Sequence, residues 1–167
     1  MLNYAIPLLF SVASCWAAIS DALTFTIPNR ISLVFVASFV LAALIVGLPW
    51  SILVDHLGAG ITMLLVGFGM FARGWLGGGD AKLMAAAALW LGFDQLLPFL
   101  IWTAILGGGL ALLLLAYRRM LPPLWLMRQP WARRLHDPKE GIPYGIALAG
   151  AGLIVYPQTI WMTGIAG

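Results

Sequence analysis

The chain has 167 residues, of which 62% are hydrophobic and 9% charged, with a mean hydropathy of +0.99. That much apolar surface cannot be hidden in one water-soluble core, which excludes a soluble domain. The length suits a single compact unit over residues 1–167, and the formal charge of +3 matters less than where the charges fall.

Apolar stretches long enough to cross roughly 30 Å of hydrocarbon recur between short breaks. In chain order they cover about 2–20, 31–50, 57–71, 81–97, 98–117 and 142–165. The pattern predicts an all-α, polytopic integral membrane protein of about six transmembrane helices. The third stretch is short for a span, and the fourth and fifth meet tightly around Asp94 and Pro98.

If the first stretch runs outside to inside, the inner loops hold Arg30, Arg73, Lys82, Arg118, Arg119, Arg128, Arg133, Arg134 and Lys139, which are all nine Lys and Arg residues. The outer loops then hold Asp55, His56 and Asp94. Such one-sided placement predicts both termini outside, with Asp21 and Asp80 on the cytoplasmic side. Met1-Leu2-Asn3-Tyr4 lacks the basic start of a cleaved signal peptide. The loop from 118 to 141 mixes Trp125 and Trp131 with arginines and is broken by Pro122, Pro123, Pro130 and Pro138. Its composition favours the headgroup layer, so the bilayer is the expected partner and nucleic acid is not.

Small residues inside the stretches predict close helix packing: Gly58, Gly60, Gly67 and Gly69, then Ala85 to Ala88, then Gly107 to Gly109. Such glycines are compatible with either a monomer or a dimer.

Chemistry narrows to two acids. Cys15 lies alone in the first stretch, where a buried inert thiol is expected, and one cysteine forms neither a disulfide nor a thiolate zinc site. His56 and His136 are placed on opposite sides, so no metal or cofactor is expected. Asp21 ends the first stretch and Asp80 follows Gly77-Gly78-Gly79 at the head of the fourth. A carboxylate at a membrane edge is costly and marks a functional candidate. Two that share a proton supply an acid and a base together. The three glycines leave room for a substrate backbone or for positive φ, while Lys82 favours the ionised form of Asp80. The plainer alternatives are a helix cap for Asp80 and a solvated loop position for Asp21. Asp137 and Glu140 fall on the same side, in a charged loop.

The order Asp21, Ile27-Pro28-Asn29, Gly77-Gly78-Gly79-Asp80-Ala81-Lys82 and Ile142-Pro143-Tyr144-Gly145 resembles the successive motifs of the prepilin peptidases, the Gly-x-Gly-Asp aspartic proteases of the cytoplasmic membrane. The resemblance covers nearly the whole chain. It implies that Asp21 and Asp80 are catalytic, with Gly77, Gly78, Gly79, Lys82, Pro28, Asn29, Pro143 and Gly145 in supporting motifs. It implies leader removal from prepilin or pseudopilin substrates at the cytoplasmic face, ahead of the pilin's hydrophobic helix. Larger members carry paired Cys-x-x-Cys motifs and methylate the new N-terminus; this chain has one cysteine, so methyl transfer is not expected. The compact form is similar to the TadV/CpaA-like peptidases of tight-adherence (Flp) pili. Thr26 departs from the basic residue that relatives often place before Ile-Pro-Asn. The competing classes are a small ion-coupled transporter using the same aspartates and a membrane scaffold in which they are dispensable.

Overall fold

The computed structural model describes residues 2–120, 122–137 and 140–163. Lys139, Pro138 and the end of the sixth stretch lie outside the described residues. Among the described residues the chain is helical with no strand: α1 Leu2–Thr24, α2 Asn29–Val46, α3 Trp50–Ala72, α4 Gly78–Leu91, α5 Leu96–Arg119, α6 Leu124–Met127, α7 Pro130–His136 and α8 Tyr144–Val155, then a 3-10 turn Tyr156–Gln158 and α9 Ile160–Thr163. Four of these, α1, α2, α3 and α5, are long and apolar enough to cross a membrane, and only 17–33% of their apolar windows is buried within the chain. Their outward faces therefore need an apolar solvent, which a bilayer supplies.

Several expected boundaries move. The second stretch stops at Val46, because Gly47 takes a left-handed φ of 65°. The N–H groups of Gly47 and Leu48 then turn back onto the carbonyls of Leu44 and Ala43. Pro49 caps the next helix, so α3 starts at Trp50 and is a full 23 residues, longer than the stretch its apolar run indicated. Asp55 and His56 consequently belong to α3 and not to a loop. His56 is buried and its Nδ1 lies 2.8 Å from Leu89 O, while Asp55 Oδ2 accepts the N–H of Phe93 at 3.0 Å. Gly92, with φ of 70°, ends α4. Pro157, which has no N–H to continue a helix, falls in the 3-10 turn that follows α8.

α4 and α8, of 14 and 12 residues, are the centre of the bundle. α4 packs on α3, α2 and α8, and α8 on α1, α5 and α4. From Ala81 to Leu91 every side chain of α4 except Lys82 is buried. In lipid such association is driven by close packing more than by water exclusion. Gly60 and Gly67 permit it: a Cβ on either would stand 3.2 Å from Leu89 Cβ or 3.1 Å from Ala81 Cβ. Gly107 does the same for the Tyr144 ring, whereas Gly69, Gly108 and Gly109 face open space and pack against nothing. Cys15 is exposed, contrary to expectation, because it falls off the inward stripe of α1.

Candidate active site

Asp21 and Asp80 reach one cavity from two different helices. The inward stripe of α1 is Ile6, Phe10, Ala13 and Ala17, at spacings of three and four, and Asp21 is its next member. The phase that packs the helix thus carries the carboxylate inward, and Asp21 is 4% exposed, not solvated. α1 continues to Thr24, so 22–24 are helix and not loop. Phe25 then turns the chain with a φ of 54°, a conformation that costs a non-glycine residue about 1–3 kcal/mol.

Asp21 is held from across the bundle. Its Oδ2 accepts the Gly145 N–H at 2.7 Å. Gly145 belongs to the first turn of α8, which has no side-chain cap of its own. Pro143, at the N-cap of α8, is buried. An acid on α1 therefore caps a helix more than a hundred residues later in the chain.

Asp80 is held locally. The N-cap of α4 is Gly77, which places Asp80 at the third helical position, with its Oδ2 turned back beside the Gly77 backbone. Its Oδ1 is buried and has no partner. The charges of Asp21 and Asp80 lie within reach of each other. Both line a cavity of about 520 Å³ closed by Phe25, Trp75, Gly77, Pro143 and Tyr144, with Glu140 also on its wall.

Of the two expectations for the three glycines, positive φ is not met, since the left-handed glycines are Gly47, Gly74 and Gly92, while Gly77 does line the cavity. Their missing side chains make room for the protein itself. A Cβ on Gly77 would stand 2.8 Å from Asp80 Oδ2, one on Gly78 would stand 3.3 Å from the Phe71 ring, and one on Gly79 would stand 3.1 Å from Ile27 Cβ. At Gly145 a Cβ would meet Ile27 Cδ1 at 2.7 Å and Asp21 Oδ2 at 2.8 Å. Ile27 thus wedges between α4 and α8, a role its place beside Pro28 did not reveal.

Lys82, expected to favour the ionised form of Asp80, turns elsewhere. Lys82 Nζ donates to Asn29 Oδ1 at 2.8 Å, on a different face of α4 from Asp80, so it does not serve Asp80 directly. Pro28 precedes α2 as its N-cap. Sequence reasoning also missed Arg118, treated only as a topology signal. Its guanidinium donates to Leu135 O at 2.9 Å, Glu140 O at 2.9 Å and Gly141 O at 3.1 Å. It thereby ties the end of α5 to the cavity wall at 140–141. Arg134 donates to Thr24 O at 3.4 Å, docking α7 near the end of α1.

Among the described residues no group of three or more His, Cys, Asp or Glu side chains gathers as a metal site. Two carboxylates in one cavity, one firmly held and one with a free oxygen, are equipped to bind and activate a water between them. A family model described as the type IV leader peptidase family matches residues 8–112, which include both aspartates and α1 to most of α5. No curated protein and no solved structure matches the chain.

Proposed function

The chain belongs to the type IV leader peptidase family, and we propose that it is a membrane-embedded aspartic endopeptidase that removes prepilin leaders through Asp21 and Asp80. The observation that carries this reading is the shared cavity, with the buried partnerless Oδ1 of Asp80 beside a fixed Asp21. Two carboxylates within each other's field resist double ionisation, so the working state holds one proton between them. The ionised member takes a proton from a water, which attacks the scissile carbonyl. The protonated member donates to the carbonyl oxygen as it becomes tetrahedral. A proton then passes to the departing amine and the C–N bond breaks.

In the proposed topology α4 and α8 complete six crossings with both termini outside. Arg30 at the head of α2, Arg73 after α3 and Arg118 and Arg119 at the end of α5 all lie at the helix ends that carry the aspartates. That clustering favours a cytoplasmic cavity. The substrate class is the prepilins and pseudopilins, and the order of the motifs fits the TadV/CpaA-like type of the tight-adherence pili.

The test is co-expression with a tight-adherence prepilin, reading leader removal by gel shift and N-terminal sequencing. The intact protein should cleave, while Asp21→Asn and Asp80→Asn, present in the membrane at equal amounts, should not. Cleavage by either variant at a rate close to that of the intact protein would remove the aspartate pair from the mechanism. The rate should fall both at pH low enough to protonate both acids and at pH high enough to ionise both.

A further inference from the structure

A second cavity, of about 510 Å³, opens sideways between α2 and α3, with α4 as its floor. α2 and α3 each pack on α4 but not extensively on each other, which leaves the gap. Small residues, Gly60, Ala85 and Ala86, deepen the floor, and the remaining lining is nearly all aliphatic. One end is polar: Asn29, Ser32 and Lys82 gather there.

The polar groups at that end have unused capacity. The Lys82 ammonium has three N–H donors, and the one partner it has among the described residues is the amide oxygen of Asn29. That bond leaves the Asn29 NH₂ pointing its donors elsewhere. The Ser32 hydroxyl is buried and has no partner. A cation without a carboxylate, an amide donor and an orphaned hydroxyl at the end of an apolar trough suit one molecule that is anionic at its head and apolar in its body.

The polar end decides the occupant: a phosphate gives Lys82 and Asn29 a charged acceptor, and the aliphatic lining suits an acyl chain. Lys82 and Leu89 lie seven residues apart on α4, roughly 11 Å at 1.5 Å per residue, a length that an acyl segment spans. The trough also lies about 200° around α4 from Asp80, two residues at 100° each, so it does not lead into the aspartate cavity. We propose that this groove is a binding site for an anionic phospholipid, with its phosphate on Lys82 and Asn29, its ester region at Ser32 and an acyl chain along Gly60, Ala85 and Ala86.

The test uses the full chain, stripped of lipid in detergent, reconstituted in bilayers of phosphatidylcholine with phosphatidylglycerol, re-extracted gently and weighed by native mass spectrometry. The expected result is one phosphatidylglycerol retained in preference to phosphatidylcholine. Retention should fall about tenfold or more in Lys82→Gln, as loss of a charge-assisted bond predicts, and in Ala86→Phe, which fills the floor. Arg128→Gln, a cation outside the groove, should retain it. Lys82→Gln changes an exposed side chain and keeps the test open if Ala86→Phe does not fold. Equal retention of the two lipids, or unchanged retention in Lys82→Gln, would overturn the proposal. So would a bound peptide that Ala86→Phe displaces while lipid stays.

Discussion

Trp90 and Asp80 stand about 15 Å apart on the same helix, ten residues at 1.5 Å each, and their surroundings differ in kind. Around Trp90 the rings of Phe39 and Trp161 lie 5.8 and 5.1 Å away between centroids, and His56 joins them at 5.7 Å from Phe39. Both indole N–H groups end on backbone carbonyls, Trp90 on Phe35 O at 2.9 Å and Trp161 on Trp90 O at 2.8 Å. Around Asp80 there are glycines, a cavity and an oxygen with no partner. One end spends its side chains on filling space and the other keeps space open. A bundle held firmly at its aromatic end can tolerate strain and an unpaired acid at the other, since both are costly and persist only where the surroundings hold them.

That contrast can be broken experimentally, and the largest effect should come from the open end. Each aspartate-to-asparagine change should slow leader cleavage roughly 10²- to 10⁴-fold while leaving thermal unfolding little altered. The double variant should be no slower than the worse single one, because the pair acts as a unit; a multiplicative loss would show two independent roles. At the aromatic end, Trp90→Ala should cost about 3–5 kcal/mol in detergent unfolding, with cleavage per folded molecule preserved. Loss of cleavage without loss of stability would mean that the two ends are not separable.

Smaller changes sharpen the boundary between them. Gly145→Ala places a methyl against Ile27 and Asp21 and should cost about 1–3 kcal/mol of stability. Its cleavage rate should drop further than that cost explains, as judged by assaying below the unfolding transition. Arg118→Lys keeps the charge but loses the planar fork that spans three carbonyls. It should raise KM several-fold with kcat nearly unchanged, at about 1 kcal/mol per lost bond. Steady-state cleavage kinetics separate the two constants.

Where the sequence was legible, local physics sufficed. Apolar length marked the long helices, and acids at the ends of apolar runs marked Asp21 and Asp80. What was hidden depended on partners far along the chain. Asp55 and His56 read as loop residues because nothing nearby satisfies them; in the fold, Phe93 and Leu89 do. Gly77 to Gly79 read as space for a substrate; that their missing side chains also admit Asp80, Phe71 and Ile27 was not visible. Lys82 read as a neighbour of Asp80, but two residues on a helix face nearly opposite ways, and it met Asn29 instead. Arg118 was one basic residue among many until Leu135, Glu140 and Gly141 offered it their carbonyls.

Ile27 acts as a feeler gauge. It stands between two helices that lack a Cβ where they meet it, at Gly79 on one side and Gly145 on the other. One aliphatic side chain from a connecting segment therefore measures out the distance between the helix that carries Asp80 and the helix that grips Asp21. Trimming that side chain, as in Ile27→Val, removes the atom that meets Gly145 and should loosen this spacing, with the cleavage rate as its gauge.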